Sequence, residues 1–382
     1  MSYYILPKIN FLINVNPQYD IDECKIIISY SLYNFYNNIK KQIEAITLQE
    51  TNIVNTYEEI IKIVNPYEYI FSKVPGSNFS VSKLKPNTNI YYDFLEIILT
   101  FNILDAFKNK SINFLNVTPY YQDSSDCIEM LRENYKDDTI HNFNNNTIKE
   151  ICKTMNDSNF DIMFFNKYYS DVNSYIIYFI ETIMLILRYQ LPGGTSIIKI
   201  DYIFHKPIID LLYLLSSLFK KVYIIKPNSS NITTFDKYVV CKNYNIISEE
   251  KIEIYKNNYQ KFNNFINKIN NKNITSIIDN NIPYYFINKL DDINIIIGQQ
   301  QLESLDLLIN VLKNKNREEK IENIKKNNIQ KSVYWCEKFK IPCNKFSEKT
   351  NIFLPIIKEN KEYTIFNTDV FTEDTYNTEY LY

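Results

Sequence analysis

The residue best placed for chemistry in this 382-residue chain is a lysine, Lys199, in the stretch "GGTSIIKI" at 193 to 200. A lysine near the end of a buried strand has two uses. Burial and neighbouring groups can depress its pKa until it serves as a general base. Alternatively its stem crosses the apolar layer and the ammonium meets solvent or a carboxylate, here Asp236 or Asp201. The second use is the expectation. Metal chemistry has little to build on, because there are two histidines and the six cysteines (24, 127, 152, 241, 336, 343) form no CxxC pair. No zinc site is expected, and free thiols in a reducing compartment are.

Other candidates read more plainly. Lys73, Lys83 and Lys85, with Phe79, stand in the turn-rich "SKVPGSNFSVSKLKP" at 72 to 86, which reads as a solvated surface loop or, alternatively, as a basic-aromatic grip for RNA. His205 enters a helix and reads as a capping or surface residue. Asp123, Ser124, Ser125 and Asp126 read as an N-capping cluster. The net charge of −2 gives no global field to draw in nucleic acid, so any RNA contact must be local.

Elements that would position these groups follow from apolar spacing. Helices are expected in the first 88 residues, as in "DECKIIISYSLYNFYNNIKKQIEAI" and "TYEEIIKIVNPYEYIF". An amphipathic helix is expected over "IYYDFLEIILTFNILDAF". Strands are expected at 112–117, 160–165, 196–200, 221–226 and 237–242, separated by helices except before the last. The loop "PNSSNITTFD" is too short for a crossover helix, so the final strand should run antiparallel. An apolar helix at 174–190 should end on a left-handed turn at Gly193-Gly194. The Asn-rich "HNFNNNTI" from 141 reads as loop, Ser248 as the N-cap of a further helix, and the chain beyond 350 as irregular. The longest apolar run, from 174, is interrupted by Glu181 and Arg188 and reads as a core helix. The first residues lack a basic n-region and cleavage site, so a soluble, cytoplasmic protein is expected.

These segments, "GGTSIIKI", "KPIIDLLYLLSSLFKKVYIIKP" and "SSNITTFDKYVVCKNY", resemble the FtsJ-like ribose 2′-O-methyltransferases, especially cap-specific members of eukaryotes and large DNA viruses. The likeness is strong over 193–245 and collinear from about 90. Abundant Asn, Ile, Lys and Tyr, all with AT-rich codons, fit a large DNA virus or a protist. The resemblance implies a Rossmann-like methyltransferase sheet, parallel with a final antiparallel strand and flanked by helical extensions. It divides the chain into a helical region with a basic loop at 1–88, the methyltransferase-type domain at 89–245 and a helical region with a tail at 246–382.

The family's S-adenosylmethionine chemistry uses a Lys-Asp-Lys-Glu tetrad. Carried over by position, its second lysine is Lys199, its aspartate falls on Asn166, its glutamate on Asp236 and its first lysine on Asp93. Only Lys199 is intact. The family's glycine-rich cofactor turn falls on "FLNVTPYYQDSSD", without glycine, so Asn116, Pro119, Tyr121 and Asp123 occupy cofactor positions. Tyr120, Tyr121, Gln122 and Asp123 are expected to place side chains where the ligand would lie. The implied reading is a catalytically degenerate homologue that does not bind the cofactor and acts as an RNA-binding or protein-binding subunit of an mRNA-processing complex. Its partners would be capped mRNA or other RNA, with no membrane and no metal. Two alternatives stand beside it. One is an active enzyme with a rearranged loop, in which Lys199 and Asp236 act with a lysine of 73–85. The other is a structural virion or complex component.

Overall fold

The computed structural model describes residues 3–20, 24–48, 53–133, 137–144, 148–155, 158–245, 248–269, 272–279, 281–314 and 317–344. The tail beyond 350, expected to be irregular, lies outside the described residues. In chain order the elements are β1 (Tyr3–Ile5), β2 (Gln18–Asp20), α1 (Tyr30–Leu48), α2 (Ile53–Val64), α3 (Ile90–Thr100), β3 (Asn113–Val117), α4 (Tyr121–Leu131) and β4 (Thr139–Phe143). There follow α5 (Ile148–Met155), β5 (Phe160–Phe165), α6 (Val172–Tyr189), β6 (Gln190–Ile200), α7 (Lys206–Leu218), β7 (Phe219–Ile225) and β8 (Lys237–Tyr244). The last are α8 (Glu249–Lys268), β9 (Asn273–Ser276), α9 (Tyr284–Lys313) and α10 (Glu318–Lys338).

The chain forms two compact units. The first comprises Met1–Asn38, Thr100–Pro227 and Phe235–Leu302, and the second Ile39–Leu99, Asn228–Thr234 and Glu303–Tyr382. A seven-stranded sheet in the order β1-β7-β8-β6-β5-β3-β4 organises the first unit. β4, β3, β5 and β6 are parallel, and β8 is antiparallel to both β6 and β7. This is the Rossmann-like methyltransferase sheet, with its reversed strand inserted beside β6. The five expected strands lie in it, and 221–226 and 237–242 pair antiparallel as expected.

The central strands read as apolar runs because both faces are covered. β5, "FDIMFF", is buried at every position but Asp161. α6 is long and apolar enough to cross a membrane by length and composition. Here it lies in the core, with Tyr175, Ile176, Phe179, Ile180 and Ile183 fully buried. α7 starts with Pro207 in its first turn, where a missing N–H costs nothing. Ser248 caps α8 by accepting from the Lys251 N–H.

Several expectations are corrected. Gly193 and Gly194 do not cap α6; they lie inside β6. Between Gln190 and Thr195 the strand bulges away from β5, and Gly193 takes φ +81° there. A Cβ on Gly194 would lie 2.7 Å from the Asp161 carbonyl oxygen, so the bulge demands glycine. α3 is buried over Ile90–Ile98 on all sides and is not amphipathic in use. "TIHNF", in the Asn-rich stretch read as loop, is the edge strand β4. β1 adds a further antiparallel strand to β7 at the opposite edge.

In the second unit, α3 carries two buried carboxylates, Asp93 and Glu96. Glu96 accepts from the backbone N–H of Asn228 (3.0 Å) and Ser229 (3.1 Å), and from Trp335 Nε1 (2.8 Å). Asp93 accepts from Ser229 Oγ at 2.6 Å. Together they anchor the loop that links β7 to β8. Burial raises the Glu96 pKa against these hydrogen bonds, which favour the anion.

Candidate functional site

In an open α/β sheet, ligands bind beyond the carboxyl ends of the parallel strands, where the strand order reverses. That point here lies between β3 and β5, because β4 is laid on one flank of β3 and β5 on the other.

Asn116, near the end of β3, is fully buried. Its Nδ2 lies 2.9 Å from the Tyr121 carbonyl, 2.9 Å from Asn142 Oδ1 and 3.3 Å from Ser125 Oγ. Its Oδ1 accepts from Ser124 Oγ at 3.0 Å. Ser125 Oγ is also 2.9 Å from both the Tyr121 carbonyl and Asn142 Oδ1. The first turn of α4 is thereby fastened to β3 and β4 by neutral side chains. Ser124 and Ser125 are therefore helix-interior residues in this network, not N-caps. α4 begins at Tyr121, and Tyr120 before it makes no side-chain cap.

Between Val117 and Tyr121 stand Thr118, Pro119 and Tyr120, so every position of the turn carries a side chain. The buried Thr118 donates its N–H to the Phe143 carbonyl at 3.1 Å. Pro119 lies in the turn and is half-buried. Tyr120 and Tyr121 are 49% and 36% exposed, whereas Asp123 is buried. The side-chain amide of Asn116 at the end of β3 is engaged by Ser124, Ser125, Asn142 and the Tyr121 carbonyl. β4 also ends without the carboxylate that holds a ribose in dinucleotide-binding sheets. The turn after β3 thus has no glycine, and the end of β4 has no such carboxylate.

Asn166 directly follows β5, and its backbone N–H bonds the Val117 carbonyl at 2.9 Å. Its side chain is fully buried, and neither Nδ2 nor Oδ1 has a partner among the described residues. A buried amide without partners is costly, and it brings no negative charge to the position.

The ionic cluster lies at the end of β6. Lys199 Nζ is 3.0 Å from Asp236 Oδ2, with side chains 13% and 35% exposed. The ammonium also lies 5.1 Å from the ring centroid of Tyr168. On the β6–β8 ladder Lys199 faces Tyr238 and Ile200 faces Lys237. Cross-strand partners share a face, so Lys199 and Lys237 project to opposite sides of the sheet.

Lys237, which no sequence motif singles out, is 1% exposed. Its Nζ donates to the carbonyls of Asp201 (2.7 Å) and Phe235 (2.9 Å). Burial pulls its pKa down to about 7, with Asp201 and Asp236 opposing and Lys226 assisting. Asp201 is pushed up by its own burial, against the pull of Lys237. Lys226 Nζ donates to the Asp236 carbonyl at 2.8 Å, so three lysines and two aspartates share the mouth of the β7–β8 hairpin. The only signal for Lys237 in the sequence is its place as the first residue of an apolar strand.

The structure thus brings Lys199 and Asp236 together. The Asn166 side chain enters no hydrogen bond among the described residues, and Asp93 belongs to the second unit, bonded to Ser229. Lys73, Lys83 and Lys85 are exposed in that second unit, while Val74, Val81 and Ser82 bury the loop between them. His205 precedes α7 but makes no side-chain cap. It is buried with Nδ1 unpartnered among the described residues, and burial lowers its pKa. Among the described residues no three His, Cys, Asp or Glu side chains group as metal ligands.

The sheet and its reversed strand define the methyltransferase-type Rossmann-like fold. The chain is 34% identical over 67 residues to the cap-specific mRNA (nucleoside-2′-O-)-methyltransferase 2 of Drosophila melanogaster. That match spans 18% of this chain and 10% of the relative. No family model matches the chain. Among solved structures it is similar to human methyltransferase-like protein 13 in complex with SAH, at 9% identity and a TM-score of 0.29, over 46% of this chain and 93% of that one. Phosphoethanolamine N-methyltransferase 2 of Haemonchus contortus with S-adenosyl-L-methionine aligns at 13% identity and a TM-score of 0.25, over 41% and 39%. A probable spermidine synthase of Corynebacterium glutamicum aligns at 10% identity and a TM-score of 0.27, over 54% and 85%.

Proposed function

We propose that the chain is a catalytically degenerate homologue of the RNA ribose 2′-O-methyltransferases, acting as an RNA-binding subunit in mRNA processing. The observation that carries this reading is the Asn116 network. It commits to internal bonds the groups at the β3 end that a cofactor would meet, in a turn with no glycine. Two further positions agree. Asn166 is neutral, and Asp93 is a carboxyl group engaged with Ser229 where the family places a lysine. The match to a cap 2′-O-methyltransferase supports RNA as the partner. The exposed Lys73, Lys83 and Lys85 supply local positive charge that the whole chain lacks.

A second reading, a working enzyme, is favoured by one observation: Lys199 and Asp236 stand 3.0 Å apart as an ion pair. Cofactor binding separates the two readings. RNA binding is tested with a labelled single-stranded RNA across a salt series. Replacing all three loop lysines by alanine is expected to weaken binding and flatten the slope by about 0.7 for each phosphate no longer neutralised. An unchanged slope would exclude this loop as the RNA-binding element.

A further inference from the structure

We infer that Tyr168 is a stacking platform for a base of single-stranded RNA, set against Lys199 at the carboxyl edge of the sheet. The inference rests on the RNA-binding reading above and names the group within the first unit that would hold a base.

Tyr168 lies two residues beyond the fully buried Asn166, on the segment leaving β5, where open α/β sheets receive ligands. Its side chain is 61% exposed, in a chain that exposes Tyr30, Tyr284 and Tyr334 still more. Its neighbour Tyr169 stacks on the buried Tyr175 with centroids 4.4 Å apart. Tyr168 instead meets the Lys199 ammonium, 5.1 Å from its ring centroid. Lys199 is itself fixed by Asp236 at 3.0 Å. The ring is therefore steadied by a cation and keeps a broad exposed area for a planar partner. A ring ordered in advance loses little freedom on binding.

The chemistry selects the partner. A nucleobase offers a flat π-face of any sequence, and the ring stands beside Lys167 in sequence and against the Lys199–Asp236 ion pair. Aromatic stacking beside lysines is the general design of single-strand binding. An aliphatic partner would gain little from an exposed tyrosine over an ammonium.

The test compares the full chain and two variants, Tyr168→Ala and Tyr168→Phe, in binding a labelled hexanucleotide of RNA by fluorescence anisotropy. The same RNA with abasic sugars serves as a second probe. Tyr168→Ala is expected to weaken binding of the intact RNA roughly 5- to 150-fold, the worth of one stacked base. Tyr168→Phe, which keeps the π-face, is expected to bind like the parent. The abasic RNA should bind parent and Tyr168→Ala alike, and the salt slope should not change, since the phosphates are neutralised by lysines that both proteins carry. The melting temperature of each variant confirms folding, which an exposed ring leaves largely untouched. Equal binding of intact RNA by parent and Tyr168→Ala overturns the stacking platform and leaves RNA binding standing. Absence of binding by the parent overturns both readings together.

Discussion

The ammonium of Lys199 lies 3.0 Å from the Asp236 carboxylate, joining the end of β6 to the residue immediately before β8. Asp236 is more exposed than Lys199, at 35% against 13%, so water continues to solvate the carboxylate when its partner is removed. Lys199→Ala is therefore expected to cost only about 1 kcal/mol. A double-mutant cycle with Asp236→Asn should give a coupling of similar size, read by urea denaturation. A loss of about 4 kcal/mol or more for the single variant would mean that the pair is a buried ionic keystone and not a partly solvated one.

Lys237 gives the fold a pH dependence of opposite sign to the usual paired lysine. Its pKa is lowered to about 7 in the folded chain from an ordinary value of 10.5. Below pH 7 both states hold the proton, and the cost of a buried ammonium is fully present. Between about pH 7 and 10.5 the unfolded chain binds more protons than the folded one, so this residue's contribution makes stability rise with pH. The gain is on the order of a few kcal/mol. Lys237→Met should remove that rise, visible as a flatter plot of unfolding free energy against pH between about 7 and 9.5. An unaltered slope in the variant would show that Lys237 is not the titrating group.

Much of this arrangement is legible in the sequence, and the gaps have physical causes. β5 and β8 are visible because both faces of central strands are covered, leaving uninterrupted apolar runs. β4, "TIHNF", buries only Phe143 of its five residues, so it shows no hydrophobic run. The glycines of β6 look like a helix cap until the bulge against β5 is seen, because both uses need the same backbone freedom. Lys199 is readable as a lysine seeking a carboxylate. Lys237 is not, since its burial depends on the packing of β6, β8 and the Phe235 carbonyl around one strand end. The role of Asp93 is hidden for the same reason: its partner, Ser229, is 136 residues away.

The anchoring of the 228–234 loop is open to a direct optical test, because Trp335 is the chain's single tryptophan. Glu96→Ala leaves the Asn228 and Ser229 N–H groups and the indole N–H without their acceptor. A loss of about 3 kcal/mol is expected, with the Trp335 emission shifted to the red. Glu96→Gln, which keeps an acceptor oxygen, should cost less. Unchanged emission in Glu96→Ala would remove the carboxylate from its anchoring role.

Asn166 is expected to respond in the opposite direction. Its buried amide has no hydrogen-bond partner among the described residues, so an apolar side chain of similar size relieves a desolvation cost. Asn166→Leu should raise stability by about 1 kcal/mol in chemical denaturation. Destabilisation by a similar amount would reveal bonds that hold the amide in place.

The claim that the cofactor crevice has become structural is tested most directly by thermal unfolding with and without millimolar S-adenosylmethionine. A ligand present at about a hundred times its dissociation constant stabilises the folded state by about 2.7 kcal/mol, a shift of several degrees. The expected result is an unchanged melting temperature, with no methyl transfer to capped RNA. A cofactor-dependent rise in melting temperature, or methyl transfer abolished by Lys199→Ala, would contradict the account and establish the chain as a working enzyme.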